Sequence, residues 1–107
     1  KDEAFVKLEA GTSRLGTLTV NSAAGTAVGD TRVTVTPTKG DGNSYKYKIG
    51  DAAAEVTYKQ SVRNWTAWDG VSDITAETGK TITVVECDAE YLALKAGSKV
   101  VAAKADE

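Results

Sequence analysis

The sequence predicts an all-β fold, a β-sandwich of about seven short antiparallel strands. Three observations carry the prediction. The 107 residues include 12 Val and 14 Thr against 5 Leu, and β-branched side chains suit a pleated surface better than a crowded helix. Apolar and polar residues alternate with period two along much of the chain, whereas helical periodicity hardly occurs. Clusters of Gly, Asp, Asn and Ser punctuate the alternation at short intervals.

Taken in order, Ala4-Phe5-Val6-Lys7-Leu8-Glu9 and Leu15-Gly16-Thr17-Leu18-Thr19-Val20 alternate on either side of Gly11-Thr12-Ser13. Residues 21–30 are small and polar and read as a boundary or a long loop. Thr31 to Thr36 is the clearest strand, with Val33 and Val35 on one face and Arg32, Thr34 and Thr36 on the other, and Pro37 ends it because proline donates nothing to a ladder. The turn-rich run 39–44 leads to a second strand, Tyr45 to Ile49, so the two are expected to form an antiparallel hairpin.

Further on, Val56-Thr57-Tyr58 and Ser72-Asp73-Ile74-Thr75 are brief candidate strands, with the turn dipeptide Asp69-Gly70 between them. Lys80 to Cys87 is apolar on both faces, which predicts a central position. The remainder reads as two strands, 91–95 and 99–103, around a Gly97-Ser98 turn. At this length one domain is expected: residues 1–20 as an N-terminal connector or docking strand, and 21–107 as the sandwich domain.

Composition then excludes chemistries. There is no His, so no Ser-His-Asp or Cys-His nucleophile and no Cys/His zinc cluster can be built. Cys87 is the single cysteine, hence no internal disulfide, and it reads as a small buried hydrophobe. A formal charge of -2 with interspersed signs provides no basic field for nucleic acid. No apolar run approaches the roughly 20 residues of a membrane span, and Lys1-Asp2-Glu3 does not open a signal peptide. Residue 1 is not Met, which makes a longer parent chain an expectation.

Carboxylates are the remaining acid/base groups. Asp69 with Asp73, and Glu86 with Asp88, are the pairs that a glycosidase-like site would draw on. Turn and strand-end carboxylates more commonly cap backbone N–H groups, so no catalytic residue is assigned. Asp41-Gly42-Asn43 offers oxygen donors but lacks the alternating acidic ligands of a calcium loop. No metal and no cofactor is expected. A Lys crosslink beside Glu86, from Lys46 or Lys80, is conceivable in a surface sandwich, but nothing in the sequence marks either lysine.

Trp65, Trp68 and Tyr58, with Asp69 as a hydrogen-bonding group, form a candidate glycan-stacking platform. Against it, a sandwich with a single Phe needs large rings inside, and a spacing of three in extended chain turns the two Trp to opposite faces.

The order Leu-Thr-Val-Asn-Ser-Ala-Ala-Gly-Thr at 18–26, Val-Thr-Val-Thr-Pro at 33–37, Gly-Asn-Ser-Tyr-Lys-Tyr-Lys at 42–48, Trp-Thr-Ala-Trp-Asp-Gly at 65–70 and Ser-Asp-Ile-Thr-Ala at 72–76, closing with 83–97, resembles a small β-sandwich repeat. That repeat belongs to structural proteins of phages of Gram-positive bacteria and to S-layer-type surface proteins. The resemblance implies an immunoglobulin-like, Greek-key module without enzymatic activity. Its leading implication is a capsid or tail decoration protein on the virion surface, with a phage capsid or tail protein as partner and Phe5, Val6, Leu8, Leu15 and Leu18 as the docking element. The alternative is a carbohydrate- or cell-wall-binding module, or a spacer within a parent polypeptide, of a secreted or S-layer protein at the bacterial surface. A host-surface glycan is a possible ligand in either case; nucleic-acid binding and membrane insertion are not expected.

Overall fold

The alternating segments become eight strands in a computed structural model that describes residues 15–105. They are β1 Gly16–Thr17, β2 Thr19–Ala24, β3 Asp30–Thr36, β4 Ser44–Gly50, β5 Thr66–Trp68, β6 Ile74–Thr75, β7 Thr81–Cys87 and β8 Ala93–Val100. Five of them make one sheet in the order β1-β8-β7-β4-β5, and three make the other in the order β2-β3-β6. All pairs are antiparallel except β1 with β8, where Gly16 lies opposite Lys95. The fold is thus an all-β sandwich of two sheets.

The core follows from the alternation. Val33 from the small sheet and Ile82 and Val84 from the large one are sealed from solvent, joined by Leu18, Val20 and Ile74. Burying an aliphatic side chain of this size stabilises by about 1.5–3 kcal/mol. β7 is central and buried on both faces. Its inward residues Ile82 and Val84 meet the small sheet, while Val85 and Cys87 join Val62 and Ala93 in a second cluster on the other side of the sheet. An arm, residues 51–65, covers that second cluster. It is held by Lys59 N–H to Ala93 O at 2.7 Å, Ala93 N–H to Gln60 O at 2.8 Å and Val62 N–H to Tyr91 O at 2.8 Å.

Several expected elements take a different form. Residues 31–36 and 45–49 are strands but not a hairpin: β3 pairs with β2 and β6, and β4 pairs with β5 and β7, so the turn-rich run between them crosses from one sheet to the other. That crossover is tied down by the buried carboxylate of Glu86, which accepts Gly40 N–H at 2.9 Å and an Asn43 amide hydrogen at 2.8 Å. Residues 15–20 are not one strand either. The chain leaves the large sheet at Leu18, whose N–H still bonds Ala96 O at 2.9 Å, and enters the small sheet at Thr19.

Asn21 to Ala24, expected in a loop, form the last four of the six residues of β2. Residues 56–58 belong to the arm instead of a strand. At the C-terminal end a single strand runs through Gly97, where a turn between two strands was expected. Gly97 marks a close approach of backbone rather than a reversal.

Candidate functional site

The aromatic residues are set by β5, whose register places Trp68 opposite Tyr45 and Thr66 opposite Tyr47. Trp68 therefore turns inward. It packs in the core with its ring centroid 5.5 Å from that of Tyr45, and its Nε1–H donates to Ser72 O at 2.9 Å. Trp65 precedes β5 and packs half-buried against the second cluster. The Lys48 ammonium stands 5.6 Å from its ring centroid.

Two open grooves of about 500 and 510 Å³ flank β5 and share Tyr47. Trp68, Asp69 and Asp73 line the first; Trp65, Asn64 and Lys48 line the second. The two tryptophans thus serve different grooves. Tyr58 lines neither, lying half-buried on the arm with Lys59 Nζ 5.5 Å from its ring centroid.

The acidic pair in the first groove is committed to structure. Asp69 accepts Val71 N–H at 2.8 Å, Ser72 N–H at 2.7 Å and the Ser72 hydroxyl. These bonds lower its carboxyl to about 2. Asp73 accepts Thr26 N–H at 2.8 Å and pairs with Arg32 at 3.4 Å, and its carboxyl is lowered chiefly by the Thr26 bond. With both carboxyls lowered, Asp69 and Asp73 do not form the protonated and ionised pair that a glycosidase-like site needs.

The second pair separates. Glu86 is buried, whereas Asp88 caps its own turn by accepting Glu90 and Leu92 N–H groups, and the Leu92 bond is the main cause that lowers its carboxyl. Asp41 lies exposed and Asn43 is engaged by Glu86. Among the described residues no three His, Cys, Asp or Glu side chains are grouped to hold a metal ion.

Of the docking residues, Leu18 is buried in the core and Leu15 packs half-buried against the second cluster. Phe5, Val6 and Leu8 lie outside the described residues. Neither lysine weighed beside Glu86 is its neighbour. Lys80 pairs with Asp51 at the far end of the sheet, and Lys46 donates to the carbonyls of Arg63 and Trp65 under the arm. The lysine facing Glu86 is Lys95, directly across the β7–β8 ladder. The sequence signal for it was weak, since the pairing partner of position 86 cannot be read without the register.

The two ends of the sandwich carry the ends of the described chain. β1 enters beside Lys95, at the pole where β4 begins and β7 ends. The chain leaves at the opposite pole, past Val101, where Gly29 N–H bonds Lys104 O and Lys104 N–H bonds Asp30 O. A chain that traverses a sandwich from pole to pole can be joined in series with others.

The family described as the S-layer protein SbsC C-terminal domain matches residues 23–104. The chain belongs to that family. Two solved structures share the fold at 22% identity, both with a TM-score of 0.63. One is a crystal structure of the S-layer protein SbsC, domains 7, 8 and 9, in which the match covers 83% of this chain and 27% of that one. The other holds SbsC domains 4–9, with 84% of this chain and 14% of that one covered. The chain therefore spans about the share that one domain takes in each. No curated protein matches it.

Membership of the SbsC family corrects the leading expectation. The matched relatives are S-layer domains and not virion proteins. Capsid or tail decoration, a phage partner and a virion location are all overturned, and the S-layer alternative takes their place. The resemblance in motif order ran to two kinds of surface protein, and nothing in the motifs themselves separates them.

Proposed function

We propose that this chain is a non-catalytic structural module of a surface-layer protein, outside the bacterial cell, joined in series with similar modules and assembling with other surface-layer subunits. The observation that carries the reading is the pole-to-pole path, with β1 entering beside Lys95 and the chain leaving past Lys104. The share of the multi-domain relatives that it matches, 27% of three domains and 14% of six, supports one module of many. The committed carboxylates and the absence of His agree with a role that needs no acid/base chemistry.

Deleting residues 15–105 from the parent polypeptide tests the proposal. Electron microscopy of the surface is expected to show a lost lattice or an altered lattice spacing. An unchanged lattice would overturn it.

A further inference from the structure

Two strands and the crossover before β4 converge on one carboxylate. Glu86 on β7 is 2% exposed. Its Oε2 accepts Asn43 Nδ2–H at 2.8 Å and Gly40 N–H at 2.9 Å, just before β4. Its Oε1 is buried without a hydrogen bond and faces Lys95 Nζ on β8 at 3.9 Å. A buried oxygen without a hydrogen bond is costly to the fold, so its retention calls for a reason.

Gly16 adds a second observation. A Cβ there would stand 2.7 Å from Lys95 Cγ, so the bare glycine leaves room for the lysine stem along β1. The amine and the carboxamide are thereby brought to opposite oxygens of the same side chain.

We propose that Lys95 and Asn43 are joined by an intramolecular isopeptide bond, with Glu86 transferring the protons. Glu86 Oε1 takes a proton from Lys95 Nζ, and the freed lone pair attacks Asn43 Cγ to form the new C–N bond. The carboxyl passes that proton to Asn43 Nδ2, to which Oε2 is already hydrogen-bonded. The Cγ–Nδ2 bond breaks, a second proton leaves Nζ by the same route, and one ammonium ion departs. Amine and carboxamide become a secondary amide, Glu86 ends as it began, and no oxidant or cofactor is consumed. Lys95 from β8 and Asn43 from the crossover before β4 both face the one Glu86 carboxylate, and holding them there would supply the rate. The bond would lock the crossover before β4 to β8, across β7, at the pole where β1 enters. This inference does not depend on the surface-layer reading.

Intact-mass spectrometry of the folded chain, followed by tryptic mapping, tests it. The expected mass is lower than that of the sequence by one ammonia, and the map should contain peptide 40–46 joined to peptide 81–99, uncleaved after Lys95. Lys95→Arg keeps the cation opposite Glu86 and should restore the full mass, as should Asn43→Ala. Glu86→Gln should leave the two peptides unlinked, and Lys95→Arg guards against its failure to fold. The full sequence mass in the folded wild-type chain would overturn the proposal. So would an ammonia loss that persists in Lys95→Arg, which marks a succinimide instead.

Discussion

Gly97 of β8 lies against the backbone of Leu18, at the point where the chain changes sheets. A Cβ at position 97 would stand 2.8 Å from the Leu18 carbonyl carbon and 3.0 Å from Val20 Cγ2, and would collide with the Leu18 carbonyl oxygen. Gly97→Ala must therefore push β2 away from β8. Overpacking of this kind costs about 1–3 kcal/mol, and backbone cannot yield as a side chain would, so the upper end is expected. Urea denaturation reads it; a loss under about 0.5 kcal/mol, the range of neutral surface changes, would contradict the close approach.

Removing the Glu86 side chain should cost more than removing an exposed acid. Glu86→Ala strips the acceptor from Gly40 N–H and Asn43 Nδ2–H and the anion from Lys95. A hydrogen bond to a charged group is worth about 1.5–3 kcal/mol, while the ion pair adds little because Lys95 is more than a third exposed. Glu90→Ala, at an exposed turn position, should stay within about 0.5 kcal/mol. Equal effects in the two variants would show that Glu86 does not clamp the crossover.

The arm depends on Lys46, whose ammonium reaches the carbonyls of Arg63 at 3.5 Å and Trp65 at 3.4 Å and lies 4.6 Å from the Tyr91 ring centroid. Lys46→Ala is expected to loosen the arm ahead of the core. Hydrogen exchange at the Lys59 and Val62 amides should rise about tenfold, through local opening, with a smaller change at Val84. Uniform acceleration across all three amides would place Lys46 in global stability instead.

Acid should weaken the fold through its turn carboxylates. Asp69 lies at about 2 against an ordinary 3.8, held by Ser72 and Val71. Asp51, Asp73 and Asp88 are also lowered, by Lys80, Thr26 and Leu92 respectively as the first cause. A depressed folded value means a contribution fully present above the unfolded value and lost as pH falls through the folded one. The melting temperature is therefore expected to fall between about pH 4 and pH 2. Asp69→Asn should flatten the lower part of that decline, and a decline of unchanged shape would remove Asp69 from the account.

Much of the sandwich was legible before any coordinates. Val33 and Val35 on β3, and the two apolar faces of β7, predict burial because the period of two fixes which side chains share a face. Connectivity was harder. The run 39–44 was expected to be a hairpin turn, and what makes it a crossover is the pairing of β3 and β4 in different sheets, tied down by a Glu86 clamp between residues more than 40 positions apart. Gly97 misled for a related reason: glycine signals a turn or a close approach with the same letter. The tryptophans could be assigned to opposite faces from their spacing, yet their placement in separate grooves depends on the shortness of β5.

Labelling intact cells that express the parent polypeptide, with an antibody raised against residues 15–105, is the most direct measurement of the central claim. The account predicts continuous label over the cell exterior, lost when the surface is shaved with protease. Label that becomes accessible only after lysis would contradict it.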